Sequence, residues 1–172
     1  IRGFTAISES YKSNPEELTD LINNLLTVLS NEILNNNGTI DKYMGDCIMA
    51  FWNAPTDQID HTDLALKASF DMEKALHEFN INFKKDKGME LKIGIGINTG
   101  DCIVGNMGSE KRFDYTVLGD PVNLASRLEG QSGTYGFQRI LGADTVNNLQ
   151  TEAYLFEVDL IQVKGKSEPV KI

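Results

Sequence analysis

The sequence predicts an α+β sandwich of ferredoxin-like type, βαββαβ with additional C-terminal strands and a short helix, on three observations. Two long stretches carry apolar residues at helical spacing. Shorter stretches alternate apolar with polar residues or flank hairpin-turn signals. The two kinds follow the order strand, helix, two strands, helix, two strands, then a mixed tail.

The chain opens at Ile1 inside what reads as a strand leading into a turn, Ile1-Arg2-Gly3-Phe4-Thr5, and is expected to be an N-terminally truncated piece of a longer protein. Asn14-Pro15-Glu16-Glu17 is a helix start: a capping residue, proline at the first helical position, and acids at the positive end of the dipole. Leu18, Leu21, Ile22, Leu25, Leu26, Leu29, Ile33 and Leu34 continue it as a core-facing stripe, and Asn35-Asn36-Asn37-Gly38 stops it. Strands over Thr39 to Tyr43 and Cys47 to Trp52 are joined by a tight turn at Met44-Gly45-Asp46. A second amphipathic helix is expected from His61 to about Phe83, ended by the charged run Lys84 to Lys87 and by Gly88. Leu91, Ile93, Ile95 and Ile97 alternate as a strand, with a neighbour from Asp101 to Met107 and an extended arm over 113–118. Asp120 caps a helix to about Gln131. A strand near Ile140, a small helix from Ala143 to Leu149, and closing strands from Tyr154 to Val163 and Pro169 to Ile172 complete the chain.

At 172 residues this is one domain, at roughly 100–200 residues per domain. With 41% hydrophobic residues it has material for a core, and no apolar run approaches the about 20 residues of a membrane span. Sixteen Lys+Arg against 25 Asp+Glu give a net charge of −9, which argues against nucleic acid as a partner, since phosphate backbones are bound by clustered cations. Two cysteines, Cys47 and Cys102, show neither a disulfide framework nor metal spacing, which fits the reducing cytosol.

Several residues are candidates for chemistry. Gly94, Gly96 and Gly100 are spaced two then four, unlike the dinucleotide-binding fingerprint, and read as close packing of a helix over a strand. Asp46, at a hairpin tip, is either a ligand for a hard divalent cation or an ordinary turn aspartate, and Lys42 on the incoming strand reads alone as a solvated charge. Asn123 and Arg127 lie four apart and so share one helical face. That pair suits a developing charge on phosphate beside a sugar, or else a plain polar surface. Gly3-Phe4-Thr5 opens a possible helix whose amides could face an anion, and Lys164-Gly165-Lys166 puts two cations in a turn.

Five segments occur together in order: Ile-Arg-Gly-Phe-Thr (1–5), Asp-Lys-Tyr-Met-Gly-Asp-Cys-Ile-Met-Ala-Phe-Trp (41–52), Gly-Ile-Gly-Ile-Asn-Thr-Gly (94–100), Leu-Gly-Asp-Pro-Val-Asn-Leu-Ala-Ser-Arg-Leu-Glu (118–129) and Val-Lys-Gly-Lys-Ser-Glu-Pro-Val (163–170). In them the chain resembles, over nearly its whole length, the class III nucleotide cyclase catalytic domain of bacterial type. The resemblance implies conversion of ATP to 3′,5′-cyclic AMP and pyrophosphate by two-metal phosphoryl transfer, with magnesium or manganese as the two divalent cations.

It also implies residue roles. The second metal aspartate of the family corresponds to Asp46, and the first would stand immediately before Ile1. The backbone metal ligand corresponds to Ile1, and the phosphate-cradling amides to Gly3, Phe4 and Thr5. Lys42 falls where adenylyl cyclases carry the lysine for adenine N1 and guanylyl cyclases carry glutamate. Its usual aspartate partner is replaced by Thr116, as in a bacterial and soluble-type subgroup, and a hydroxyl still accepts from the adenine amino group. Asn123 and Arg127 match the pair that orients the ribose and stabilises the pentavalent phosphate. Lys164, with Lys166 behind it, matches a lysine on the terminal phosphates. The family's site lies between two domains, so a head-to-tail homodimer is implied, with the arm over 108–118 reaching across it. The domain is expected in the cytoplasm, in a chain with an upstream sensor or membrane segment. A guanylyl cyclase, or a non-catalytic nucleotide-binding or dimerisation module, is the alternative.

Overall fold

The computed structural model describes residues 1–162 and 169–172. Helix α1 (Phe4–Ser10) is followed by α2 (Pro15–Asn35), which begins as its sequence signals require. Asn14 caps it, accepting from Glu17 N at 3.4 Å and returning a bond from Nδ2 to the Glu17 carboxylate at 3.0 Å. The apolar stripe points inward: Leu21, Leu25, Leu29 and Ile33 are buried, whereas Leu34 is exposed on its flank. Strands β1 (Thr39–Met44) and β2 (Cys47–Phe51) pair antiparallel across a two-residue loop with Gly45 first at φ 61°. Helix α3 (His61–Lys87) runs four residues beyond the expected Phe83, because Lys84, Lys85 and Lys87 are good helix formers placed at the negative dipole end; Gly88, at φ 68°, then stops it. Leu76 and Phe83 of α3 close over Leu21, Leu25 and Leu29 of α2, with Leu91 and Ile93 beneath.

The remaining elements are β3 (Ile95–Ile97), β4 (Ile103–Ser109), β5 (Arg112–Leu118), α4 (Asp120–Tyr135), β6 (Arg139–Leu141), α5 (Ala143–Asn148), β7 (Leu160–Ile161) and β8 (Val170–Lys171). β3 pairs parallel with β6 through the α4 crossover, while β4 with β5 and β7 with β8 are antiparallel. A second core of Leu124, Leu128, Ile140 and Ile172 lies under α4.

The mixed architecture is of the expected class, with differences in its strands. Among the described residues its ladders form four two-stranded pairs. The opening segment is no ladder strand: one backbone bond, Arg2 N to Lys92 O at 2.8 Å, joins it to the interior, and α1 begins at once. The strand expected over Leu91 to Ile97 is a ladder only at β3. Buried Asn80 takes the place of a strand partner at Leu91, donating to its carbonyl at 2.8 Å and accepting from its amide at 2.9 Å. β4 starts at Ile103, not Asp101, and α4 runs four residues past Gln131. The closing strands shrink to β7 and β8, and Val163 lies outside the described residues. Among the described residues no helix is long and apolar enough to cross a membrane.

The glycine spacing is explained by packing. A Cβ on Gly96 would stand 2.1 Å from Ala125 O and 2.3 Å from Glu129 N, and one on Gly94 2.3 Å from Ser132 Oγ. Helix α4 therefore rests directly on the backbone of this strand. Gly96→Ala is expected to cost about 3 kcal/mol, because it meets helix backbone that cannot yield. Thermal unfolding should report a Tm lower by roughly 10 °C. Gly130→Ala, where a Cβ meets nothing within 4 Å, should instead stabilise α4 by about 1 kcal/mol.

Candidate active site

At the β1–β2 tip Ile1 lies beside Asp46, the amino group at the start of the sequence standing 2.8 Å from Asp46 Oδ2. Arg2 fixes the opening segment from the other side: its Nη2 donates to Ser132 Oγ at 3.2 Å and to the Phe137 carbonyl. Gly3 then turns at φ 66°, a left-handed conformation that favours glycine, and its carbonyl accepts from Ala6 N at 3.0 Å and Ile7 N at 3.2 Å. The amides of Phe4 and Thr5, in the first turn of α1, have no intrahelical acceptor.

The donor chemistry at the tip is that of a hard cation. Asp46 is half-buried and offers carboxylate oxygen; at its neighbour Cys47, desolvation first and then the Glu129 carboxylate push the thiol up. Among the described residues no three His, Cys, Asp or Glu side chains converge. Asp46 suits a hard-cation site, because magnesium is held by one or two carboxylates together with phosphate oxygens.

The second group lies where β1 meets β5. Thr116 is buried, and its hydroxyl donates to Asp41 Oδ2 at 2.7 Å; the Val117 amide donates to the same oxygen at 3.0 Å. The other Asp41 oxygen, Oδ1, faces Lys42 Nζ at 3.2 Å without an aligned hydrogen bond. The Asp41 side chain is fully buried, whereas Lys42 remains partly exposed. Lys42 and Thr116 are thus joined through a carboxylate.

The third group is on α4, entered through Gly119 and Pro121 and tied down by Asn98 Nδ2, which donates to Pro121 O at 3.1 Å. Asn123 is exposed, and Arg127 follows one turn later on the same face. Arg127 Nη1 is buried with no hydrogen-bond partner among the described residues. Such an orphaned guanidinium nitrogen suits an anion.

Of the expected residues, the structure brings Ile1 to Asp46, Lys42 to Thr116, and Asn123 to the helical face of Arg127, while Lys164 and Lys166 lie outside the described residues. Sequence reasoning missed Asp41. The register of β1 passes from Ile40↔Ala50 to Lys42↔Met49, so Asp41 is an unopposed bulge residue. Bulges re-aim side chains, and this one is invisible in a period-2 pattern. The available signal was a charge beside Lys42 on a strand of apolar neighbours.

Residues 1–171 match the family described as "Adenylate and Guanylate cyclase catalytic domain". An adenylate cyclase of Anabaena cylindrica is 36% identical over 179 residues, covering 100% of this chain and 34% of its own length. The chain thus spans about a third of that relative. Two solved structures superpose equally well. The guanylyl cyclase Cya2 and the adenylyl cyclase CyaB from P. aeruginosa each have a TM-score of 0.89 and 36% identity over 99% of this chain, covering 85% and 86% of their own chains.

A buried, unpartnered guanidinium nitrogen is a burden on the folded state. Arg127→Met, measured by thermal unfolding without nucleotide, should leave Tm within about 2 °C of wild type or raise it. A large fall would reveal a structural partner for Arg127.

Proposed function

The chain belongs to the adenylate and guanylate cyclase catalytic domain family, and from that premise we propose that it is an adenylyl cyclase domain, converting ATP to 3′,5′-cyclic AMP and pyrophosphate. The observation that carries the adenine assignment is the Lys42–Asp41–Thr116 constellation. Equal likeness to an adenylyl and a guanylyl cyclase leaves the choice of purine to local groups, not to the fold. It is also what keeps guanylyl cyclase as the second reading.

In this reading Lys42 donates to adenine N1, and Thr116 Oγ1 accepts from the adenine amino group. Asn123 orients the ribose so that its 3′-oxygen faces the α-phosphorus. The Arg127 guanidinium neutralises charge that develops on the pentavalent phosphate, where a preorganised donor acts most strongly. The amides of Gly3, Phe4 and Thr5 hold phosphate oxygens, with Lys164 on the terminal phosphates. Asp46 and the Ile1 carbonyl would hold divalent cations, magnesium or manganese, which supply Lewis acidity at the attacking and leaving oxygens.

A head-to-tail homodimer completes the proposal. The β4–β5 hairpin supports it by presenting apolar side chains to solvent, among them Ile103, Phe113 and Leu118. Exposed apolar groups on a projecting arm suit a protein interface. In such an assembly the metal residues of one protomer serve the purine and transition-state residues of its partner.

Cyclic AMP formation from ATP with manganese tests the reading in the full chain. Asp46→Ala and Arg127→Ala should each lower kcat by about 100-fold or more, and a chelator should abolish turnover. Lys42→Glu should erode the preference for ATP over GTP. A demonstrated dimer without turnover would overturn the catalytic reading.

A further inference from the structure

We infer that Asp41 is a positioning residue that sets the purine specificity of this site by fixing the polarity of the Thr116 hydroxyl. The inference rests on the reading of Lys42 and Thr116 as the purine-contacting pair. A threonine hydroxyl has one proton and two acceptor lone pairs, and left to rotate it serves donor and acceptor ligands alike. Here the proton is committed: Thr116 Oγ1 donates to Asp41 Oδ2 at 2.7 Å. The carboxylate cannot release it by rotating, because the same oxygen also accepts from the Val117 amide at 3.0 Å and the side chain is fully buried. Only lone pairs of Thr116 remain for a ligand. They attract the 6-amino group of adenine and repel the 6-carbonyl of guanine.

The other oxygen of Asp41 acts on the second reader. Oδ1 lies 3.2 Å from Lys42 Nζ, so the ammonium is held beside Thr116 by its counter-charge. An ammonium is a donor only, matched to the unprotonated N1 of adenine and mismatched to the N1–H of guanine. One buried carboxylate therefore imposes acceptor character at one position and donor character at the next. The β1 bulge makes this possible, since it leaves Asp41 unopposed between Ile40↔Ala50 and Lys42↔Met49.

Asp41→Asn is the decisive variant, because it keeps the shape and no orientation of the amide reproduces both contacts. With its oxygen toward Thr116 and Val117, its NH2 opposes the Lys42 ammonium. With its NH2 toward Thr116, the hydroxyl must accept, and its proton turns toward the ligand. Steady-state kinetics of the full chain on ATP and on GTP, with manganese, should show the ATP:GTP ratio of kcat/KM falling by about tenfold or more. KM for ATP should rise more than kcat falls, because the purine lies away from the reacting phosphorus. Thr116→Ser, which keeps the hydroxyl, should retain most of the wild-type ratio. Thr116→Val should lose it, and adding Asp41→Asn to Thr116→Val should lower the ratio by less than Asp41→Asn does alone.

A merely structural role for Asp41 predicts otherwise: lower Tm and equal losses with both nucleotides. An unchanged ratio in Asp41→Asn, beside a wild type that prefers ATP, would overturn the inference and leave the cyclase reading intact. A wild type that prefers GTP, or turns over neither nucleotide, would remove the underlying reading and the inference with it.

Discussion

Helix α4 lies on strand backbone, not on side chains, and the candidate site depends on that contact. Gly94 and Gly96 remove the layer of side chains that would hold a helix away from a strand, bringing the backbone of Ala125 and Glu129 within van der Waals reach. The same helix carries Asn123 and Arg127, so their height above the strand is set by the absence of two Cβ atoms. Asn98 pins the first turn of α4 through Pro121 O, and Arg2 reaches its last turns through Ser132. The last turns of the helix are thereby tied to the opening segment, which carries Ile1, Gly3, Phe4 and Thr5. Core burial of Leu124 and Leu128 supplies the adhesion, and the glycines supply the distance.

Much of this was legible in the sequence where one residue type has one physical use. Asn14-Pro15-Glu16-Glu17 could only begin a helix, and Leu21, Leu25 and Leu29 could only face a core. Gly45 marked a tight turn over Met44 to Asp46, which the structure narrows to two residues, and the glycines at 94 and 96 read correctly as helix-on-strand packing. What was not legible depended on pairing between distant segments. The alternation of Leu91 and Ile93 specifies an extended chain but not its partner, and the partner proved to be the side chain of Asn80. The opening segment reads as a strand by composition yet makes a single ladder-like bond before the helix begins. The role of Asp41 required a bulge, and bulges leave no periodic trace.

Polar groups at the candidate site are arranged against the interest of folding alone. A fully buried carboxylate costs desolvation that is offset only when its oxygens are engaged, and Asp41 engages one oxygen twice and the other only through Lys42. Arg127 keeps a buried nitrogen with no partner among the described residues. Elsewhere in the fold several inward polar groups are fully engaged: Asn80 by Leu91, the Thr62 hydroxyl by Asn148 O, and the Trp52 indole by Asn36 O. Buried nitrogens without a hydrogen-bond partner among the described residues also occur at Arg2 Nε and Arg139 Nε, and Arg139 lies outside the cyclase motifs. At Arg127, an anionic ligand on the proposed reading would complete what the chain leaves open.

Similarity to both an adenylyl and a guanylyl cyclase at one TM-score locates substrate choice below the level of fold. Adenine and guanine share the purine frame; guanine adds a 2-amino group, and at N1 and the 6-substituent the two bases are opposite in hydrogen-bonding sense. They differ in the direction of two hydrogen bonds, and a protein reads direction only where its own donors and acceptors cannot turn. A lysine meets that condition by chemistry, because an ammonium has no lone pair. A threonine does not, and acquires it only from a neighbour that takes its proton. Thr116 has such a neighbour in Asp41, which stands next to Lys42 in the chain and reaches both side chains from one bulge. On the proposed reading, purine choice then rests on a buried carboxylate as much as on the two side chains it holds.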